Sequence, residues 1–458
     1  MGNVAQDIDP TSIASTLASR PPGPSLATLG AIAARSVQRP YGLLPVIAAR
    51  CGDVVDIPVP LRGWTMTLVS HPDHVDHIMT RHHQRYAKHI ATQQLVLGEP
   101  PALPLLEGDE WKRTRRPLNP YFGEKALAGI SPAMIAAITE RVELWGLRAG
   151  QPLDLEHELG AVVMDGLMRS MFSAVLTTEE LDAYVEGVGD FGRYVVARAV
   201  TYGVPGRVPR PFQTKGERAK AQLLAALDSQ IARRYAEGPR TPVDIMDVLL
   251  GMEFPGTPEE RYRRLRSELS GLVFAGFETT AEALAWTLAL LARNPIALVR
   301  AYEEVDGLGG GSLEYGHVSR LPWLRACFDE AQRIQAAPAN IRTALEDDEI
   351  GGYFIPAGSH VVISPYGLHH DPRFWTRPEI YRPERFLADD IDRNAFIPFN
   401  TGPRKCMGSR MAYLEGVITL AAILQRYTIH VRDGWQPRHR IRVSTGLAGG
   451  LPARIRHR

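Results

Sequence analysis

The segment from Thr257 to Pro295 constrains this chain more than any other. Thr257 suits an N-cap, Pro258 suits the first helical position, and Glu260 completes a capping box. The helical pattern then runs to Asn294-Pro295, where proline enforces a stop. That is about 36 residues, or roughly 54 Å at 1.5 Å per residue, enough to cross a whole domain. In its middle stands Ala275-Gly276-Phe277-Glu278-Thr279-Thr280, odd residue types for a helix interior. Glycine costs about 1 kcal/mol against alanine there, and an acid beside two hydroxyls invites local distortion. Two readings fit. One is a small-residue packing site between helices. In the other, small residues let a flat ligand lie against the backbone, and a threonine hydroxyl bonded to the preceding turn opens the helix to water.

Composition narrows the class. With 45% apolar and 22% charged residues the chain has the balance of a soluble globular protein. A net charge of +1 gives no support for a nucleic-acid partner or an acidic tail. Cys51, Cys327 and Cys406 are too widely spaced for a disulfide framework or a CxxC zinc site, which fits a reducing cytoplasm. The early segment is polar and acidic, with Arg20 its first basic residue, and does not read as a secretory signal. The apolar run Leu26–Ala34 is too short to cross a bilayer, which needs about 20 residues. Gly271–Ala292 is longer but carries Glu278 and Glu282. Isolated carboxylates at bilayer depth are expensive, so a buried helix is expected rather than a span.

Elsewhere the patterns are shorter. Asp53–Pro60 and Thr65–Ser70 are β-rich and predict a hairpin, followed by a short helix from His71-Pro72-Asp73. Leu95–Leu106 lacks any period and reads as a long loop, often functional in a compact domain. Trp111 and Arg115 are four apart, hence on one helical face, with Lys112, Arg113 and Arg116 turned outward. From Ser131 to about Glu237 the pattern is helical, broken at Thr201–Pro211. Gly307–Ser312 is a connector rather than a phosphate loop, since no Gly-Lys-Ser/Thr follows and no strand precedes it. Glu330 and Arg333 share a helical face at i and i+3, and Ile350–Ile363 predicts two short strands around Pro356-Ala357-Gly358. His369-His370-Asp371 reads as a structural turn, because adjacent histidines do not share a helical face. Gly408–Tyr427 reads helical, and a β-rich end follows with a turn at Gly446–Gly450.

One further stretch, Phe399-Asn400-Thr401-Gly402-Pro403-Arg404-Lys405-Cys406-Met407-Gly408, has the form F-x-x-G-x-R-x-C-x-G. Taken alone, Cys406 is either an inert thiol near a turn or a metal-ligating thiolate. For a thiolate each neighbour has a use. Gly402 permits a turn with φ > 0, and Gly408 lets backbone approach a flat ligand. Amide N–H groups can tune the sulfur, and Arg404 can pair with a carboxylate on a ligand rim. The decapeptide resembles the haem-binding signature of the cytochrome P-450 superfamily, the haem-thiolate monooxygenases. Residues 275–279 resemble that family's oxygen-activation motif, [AG]-G-x-[DE]-T. The W-x-x-x-R of Trp111 and Arg115 resembles its propionate-binding helix, and Glu330–Arg333 its E-x-x-R motif. Arg385, in Arg382-Pro383-Glu384-Arg385-Phe386, stands where the motif's third partner belongs. The motifs occur in family order over nearly the whole chain.

The resemblance implies a mainly α protein with a small β-rich lobe (α+β). It forms one catalytic domain over residues 1–458, with 1–25 a flexible N-terminal segment. It implies haem b with Cys406 as axial thiolate, the ligation that favours O–O cleavage. Phe399, Gly402 and Gly408 shape the cysteine loop, and Ala275 and Gly276 lie against the ring. Trp111, Arg115, Arg342 and Arg404 are the propionate candidates. Thr279 hydrogen-bonds the dioxygen being reduced, and Glu278 relays protons toward it. Glu330, Arg333 and Arg385 form a structural lock. Leu95 and Leu97 in the substrate-covering loop, Phe191 near the helix–loop–helix lid, Asn340 and Leu447 are the pocket candidates.

The sequence departs from the family in Asn400-Thr401, where many members carry a glycine after the phenylalanine, in Met411 for a frequent phenylalanine, and in a single Pro338 where two prolines are common. None of these removes a ligand or a proton donor; what they bear on is the exact loop geometry and the redox potential. Ala412 and Glu415 match the family. The activity implied is insertion of one atom of dioxygen into a hydrophobic small organic molecule, of terpenoid or other secondary metabolism. No flavin or nicotinamide domain fits this length, so electrons are expected from a ferredoxin or flavodoxin with its reductase. Lys112, Arg113, Arg116, Lys405 and Arg410 offer a basic patch for such a partner. Two other readings stand beside this one: a haem-thiolate peroxygenase, isomerase or coupling enzyme, and a non-catalytic haem sensor or ligand carrier.

Overall fold

A computed structural model describes residues 19–36, 40–59, 64–88, 99–201, 207–337, 339–388, 391–441 and 444–458. Its helices are α1 (Leu26–Ser36), α2 (Leu43–Cys51), α3 (Pro72–Asp76), α4 (Gly108–Leu118), α5 (Glu124–Leu144), α6 (Leu155–Met171) and α7 (Thr178–Val200). They continue with α8 (Gln213–Glu237), α9 (Ile245–Leu250), α10 (Pro258–Ala292), α11 (Pro295–Asp306), α12 (Pro322–Gln335), α13 (Pro365–His369) and α14 (Ser409–Arg426). The strands are β1 (Val54–Val59), β2 (Trp64–Val69), β3 (Tyr86–Lys88), β4 (Leu153–Asp154), β5 (Asn340–Ala344) and β6 (Asp348–Ile350). After them come β7 (Tyr353–Ile355), β8 (His360–Ile363), β9 (Tyr427–Val431), β10 (His439–Ile441), β11 (Thr445–Leu447) and β12 (Pro452–His457). The protein is thus mainly α with small sheets, as expected. Among the described residues no single helix is long and apolar enough to cross a membrane.

The chain divides into two compact units. The first is Met1–His89, Ala337–Thr376 and Asp392–Lys405; the second is Ile90–Ala336, Arg377–Ile391 and Cys406–Arg458. The first unit is built on a five-stranded sheet in the order β1-β2-β8-β5-β3. The predicted hairpin is there, β1 antiparallel to β2 with Val54 opposite Val69. β2 pairs in parallel with β8, which comes from some 290 residues later in the chain. The stretch Ile350–Ile363 holds the two strands expected, β7 and β8, on either side of Pro356-Ala357-Gly358. β6 and β7 form their own hairpin through Gly351 and Gly352, both at positive φ, and β8 joins the large sheet instead. The segment expected to be flexible to residue 25 is held from Ser19 onward. Pro22 O accepts from Asp56 N–H at 2.9 Å, and Ser19 O accepts from Phe354 N–H at 3.0 Å. Gly23 lies so close to β1 that a Cβ there would overlap the Asp56 carbonyl.

The second unit is helical around α10. Both halves of the predicted capping box form: Glu260 N–H donates to Thr257 Oγ1 at 3.3 Å, and Thr257 N–H to Glu260 Oε2 at 2.8 Å. The helix runs for 35 residues without interruption, so the acid and hydroxyls in its middle do not distort it. It packs against α6, α12 and α14. From Thr280 to Leu291 every side chain is buried, as a helix apolar on all sides must be when it forms the core. The helical stretch expected from Ser131 to Glu237 begins earlier, at Glu124, and is four helices. Of its extra breaks, 145–154 carries Gly150, at positive φ, and Pro152, a local signal for a turn, whereas 172–177 has no proline or glycine and is marked only by packing.

Candidate functional site

In the second unit, α10 presents an opening in the middle of its buried length. Ala275 and Thr279, one turn apart on one face, are exposed, whereas Phe277, Glu278 and Thr280 beside them are buried. The Thr279 hydroxyl donates to the Ala275 carbonyl at 2.8 Å, the back-bond predicted from sequence. Gly276 points elsewhere. A Cβ on it would lie 3.1 Å from Leu167 of α6, so its small size serves helix packing, and Ala275 alone of the pair faces the opening. The packing reading thus holds on the Gly276 face, while Ala275 and Thr279 form a separate exposed face. Glu278 is 3% exposed, and a Cβ on Gly192 of α7 would sit 3.3 Å from its Oε1.

The thiol of Cys406 is exposed just before α14, whereas Cys327 is buried. Burial holds the Arg115 guanidinium below its ordinary value, while a charged Cys406 acts in the opposite direction, which places the cation of α4 within electrostatic reach of the sulfur. Arg115 and Trp111 share their predicted face and touch, the guanidinium carbon lying 5.4 Å from the ring centroid. Gly408 has φ −80°, and a Cβ added to it would meet Phe122 at 3.8 Å and Cys406 Sγ at 3.9 Å. Those are ordinary contacts, so the polypeptide itself does not demand glycine there. Gly402, in the first unit, differs. Its φ is +67°, and a Cβ would overlap the Met79 carbonyl. Asn400 adopts φ +64° and its Oδ1 accepts from Thr401 N–H at 2.9 Å. Asparagine is among the few residues other than glycine that tolerate this left-handed conformation.

The first unit holds the remaining candidates. Arg342 on β5 is 8% exposed, with Nη1 donating to Ile341 O at 3.0 Å. Phe399, Arg404 and Asn340 are half-buried. His369 Nε2 accepts from Ile397 N–H at 2.9 Å, a structural role for the histidine turn.

The predicted lock is assembled in the second unit. Glu330 and Arg333 are 0% exposed, with Arg333 Nε 2.8 Å from Glu330 Oε2 and Arg333 Nη2 2.9 Å from Oε1. Arg385 Nε lies 3.0 Å from Glu330 Oε2, and Arg382 N–H donates to Oε1 at 2.9 Å. Of the pocket candidates, Phe191 stacks edge-on against Phe274 of α10, centroids 5.8 Å apart, one residue from Gly192. Leu447 is 0% exposed within the core, so in this conformation it offers no surface to a ligand. Leu95 and Leu97 lie outside the described residues. Sequence reasoning missed Gly192, and it read Glu282 only as an obstacle to a membrane span. The visible signal for Glu282 was a second carboxylate four residues after Glu278 in an apolar helix.

Comparison with known proteins gives these features a common setting. The family model described as Cytochrome P450 matches residues 21–448. Cyclooctatin synthase of Streptomyces melanosporofaciens is 32% identical over 349 residues, covering 73% of this chain and 74% of that protein. Cytochrome P450 3A5 of Homo sapiens is 29% identical over 350 residues, covering 71% and 69%. Among solved structures, the cytochrome P450DA heme domain superposes with a TM-score of 0.82 over 96% of this chain and 98% of that one, at 23% identity, a likeness of fold.

Proposed function

Since the chain belongs to the cytochrome P450 family of haem-thiolate monooxygenases, we propose that Cys406 would hold the iron of haem b as a thiolate and that the Ala275–Thr279 face of α10 would border the site of its oxygen chemistry. The observation that carries this reading is the opening on α10, an exposed Thr279 in a helix buried on either side, in the same unit as an exposed Cys406. The residues present fit the group. An accessible thiol, a neighbouring cation in Arg115, and a glycine at 408 that the polypeptide does not itself require are what a flat, anionic-rimmed metal ligand needs.

When bound, haem supplies the redox chemistry by which one oxygen atom enters the substrate and the other leaves as water, with two electrons and two protons taken up. The chain's residues do the rest. Trp111 and Arg115 would hold a propionate, and Arg342 and Arg404 are proposed for the same role. Thr279 would offer its hydroxyl to the dioxygen, and Glu278, buried one residue away, would pass protons toward it. Both units together are taken as one catalytic domain, through which the family match runs without a break. The substrate is proposed to be a hydrophobic small organic molecule, terpenoid or other secondary metabolite. Electrons are proposed to come in the cytoplasm from a ferredoxin or flavodoxin. Lys112, Arg113, Arg116 and Arg410 are all exposed and suit an acidic partner.

The carbon-monoxide spectrum of the reduced protein tests the centre of this reading. The red-shifted Soret band of thiolate-bound haem should appear, and should vanish in Cys406→Ala; its absence from freshly prepared wild type refutes the assignment. Turnover with surrogate redox partners and NADPH then separates the classes. Product only with peroxide indicates a peroxygenase, and no product with any oxidant indicates a binder.

A further inference from the structure

Of the three buried carboxylates on α10, Glu268, Glu278 and Glu282, the last adjoins the exposed strip and is not used by the chemistry above. Glu282 is 3% exposed and lies four residues after Glu278 and three after Thr279, a surface neighbour of both on the helix. The exposed strip stops there, since Glu282, Ala283 and Trp286 are all buried.

What meets Glu282 is the β10–β11 pair. The Ser444 hydroxyl bonds to Glu282 Oε2. Arg440 Nη2 stands 4.0 Å from Glu282 Oε1 and 2.9 Å from Glu156 Oε1, so two carboxylates from α10 and α6 share one guanidinium. Glu156 Oε1 also accepts from Leu447 N–H at 3.0 Å, and one turn along α10 the Trp286 indole donates to Thr445 O at 2.9 Å. Gly446 sits in the middle. A Cβ there would lie 2.5 Å from Glu282 Oε1, 2.7 Å from Arg440 Nη2 and 3.0 Å from Glu156 Oε1, leaving no room for a side chain. An apolar residue at 282 would pack this position at no charge-burial penalty, because burying an ion pair is often neutral or worse for stability. A buried charged pair does confer a unique registry, since any slip of the strands would leave carboxylates and guanidinium unpaired.

We propose that Glu282 is a positioning residue. Through Ser444 and Arg440 it clasps the β10–β11 pair onto α10 at the end of the Ala275–Thr279 strip, and so sets how large a ligand that strip admits. The inference rests on the reading of the strip as the reaction site.

Its test uses imidazole and 4-phenylimidazole, two nitrogen bases of different size that ligate haem iron and give a spectral Kd each. Glu282→Ala and Ser444→Ala should each change the ratio of the two Kd values by about tenfold, roughly 1.4 kcal/mol, with the carbon-monoxide band intact. Glu282→Gln, which keeps an acceptor for Ser444, should fall between these variants and wild type. Amide hydrogen exchange in β10 and β11 should rise in the same order, a readout that needs no turnover. An unchanged ratio beside a lowered melting temperature makes the clasp merely structural and overturns the proposal. Ser444→Ala, a change at a partly exposed hydroxyl, keeps the test available if Glu282→Ala does not fold. Loss of the carbon-monoxide band in the unmutated protein sinks the haem-thiolate reading instead, so the two failures are distinct.

Discussion

Replacing Glu330 with glutamine keeps the side chain's shape but removes a negative charge that faces two buried guanidiniums. Arg333 is 0% exposed and Arg385 3%, and both direct their Nε at the Glu330 carboxylate. Burial holds Arg385 below the ordinary arginine value, and Glu330 pulls it back up. Breaking a buried pair by deleting one member typically destabilises by about 3–5 kcal/mol. A domain's whole stability is about 5–15 kcal/mol, so a large share of it is at risk. Glu330→Gln should lose close to the full amount. Glu330→Ala should lose somewhat more, since a cavity is added and the Arg382 N–H loses its acceptor at 2.9 Å. Urea unfolding of both variants, followed by tryptophan fluorescence and by the Soret band, measures this, and haem incorporation during expression should fall in parallel. If Glu330→Gln stays within about 1 kcal/mol of wild type and keeps its haem while Glu330→Ala does not, packing rather than charge holds the site together. The ionic lock would then be refuted.

Other outcomes follow from single contacts. Thr279→Ala removes an exposed hydroxyl whose protein bond is to Ala275 O, so stability should change by less than about 1 kcal/mol; product per electron should drop as hydrogen peroxide release rises, and unchanged coupling would remove Thr279 from the chemistry. Gly402→Ala should fail to give a folded holoprotein, because φ +67° and the Met79 carbonyl both oppose a Cβ. Gly408→Ala should instead unfold like wild type but bind haem more weakly; equal behaviour of the two in urea melts would contradict the distinction. Glu415, 1% exposed, has its carboxyl pushed well above the usual range by burial. The folded state therefore keeps a proton that the unfolded chain releases above pH of about 4.3, and stability should fall by up to about 1.4 kcal/mol per pH unit as pH rises from there toward the folded value. In Glu415→Gln that slope should be absent, as comparison of denaturant midpoints at pH 5 and pH 8 will show.

What could be read directly from the residues depended on neighbours in the chain. The capping box of α10, the Thr279 back-bond, the shared face of Trp111 and Arg115, and the Glu330–Arg333 pair all join residues three or four apart, distances that helix geometry sets by itself. The motif order pointed to the family, which the match over residues 21–448 bears out. Which way a residue faces belonged to the tertiary structure. Ala275 and Gly276 look alike in sequence, but they are about 100° apart on the helix, and only the position of Leu167 turns one toward packing and leaves the other open. The parallel pairing of β2 with β8, the hold of Pro22 on β1, and the burial of Leu447 likewise join distant segments. So does the Glu282 clasp, whose five members come from α6, α10 and the C-terminal strands. Local periodicity carries no information about such contacts, because they exist only once separate elements compete for the same buried space.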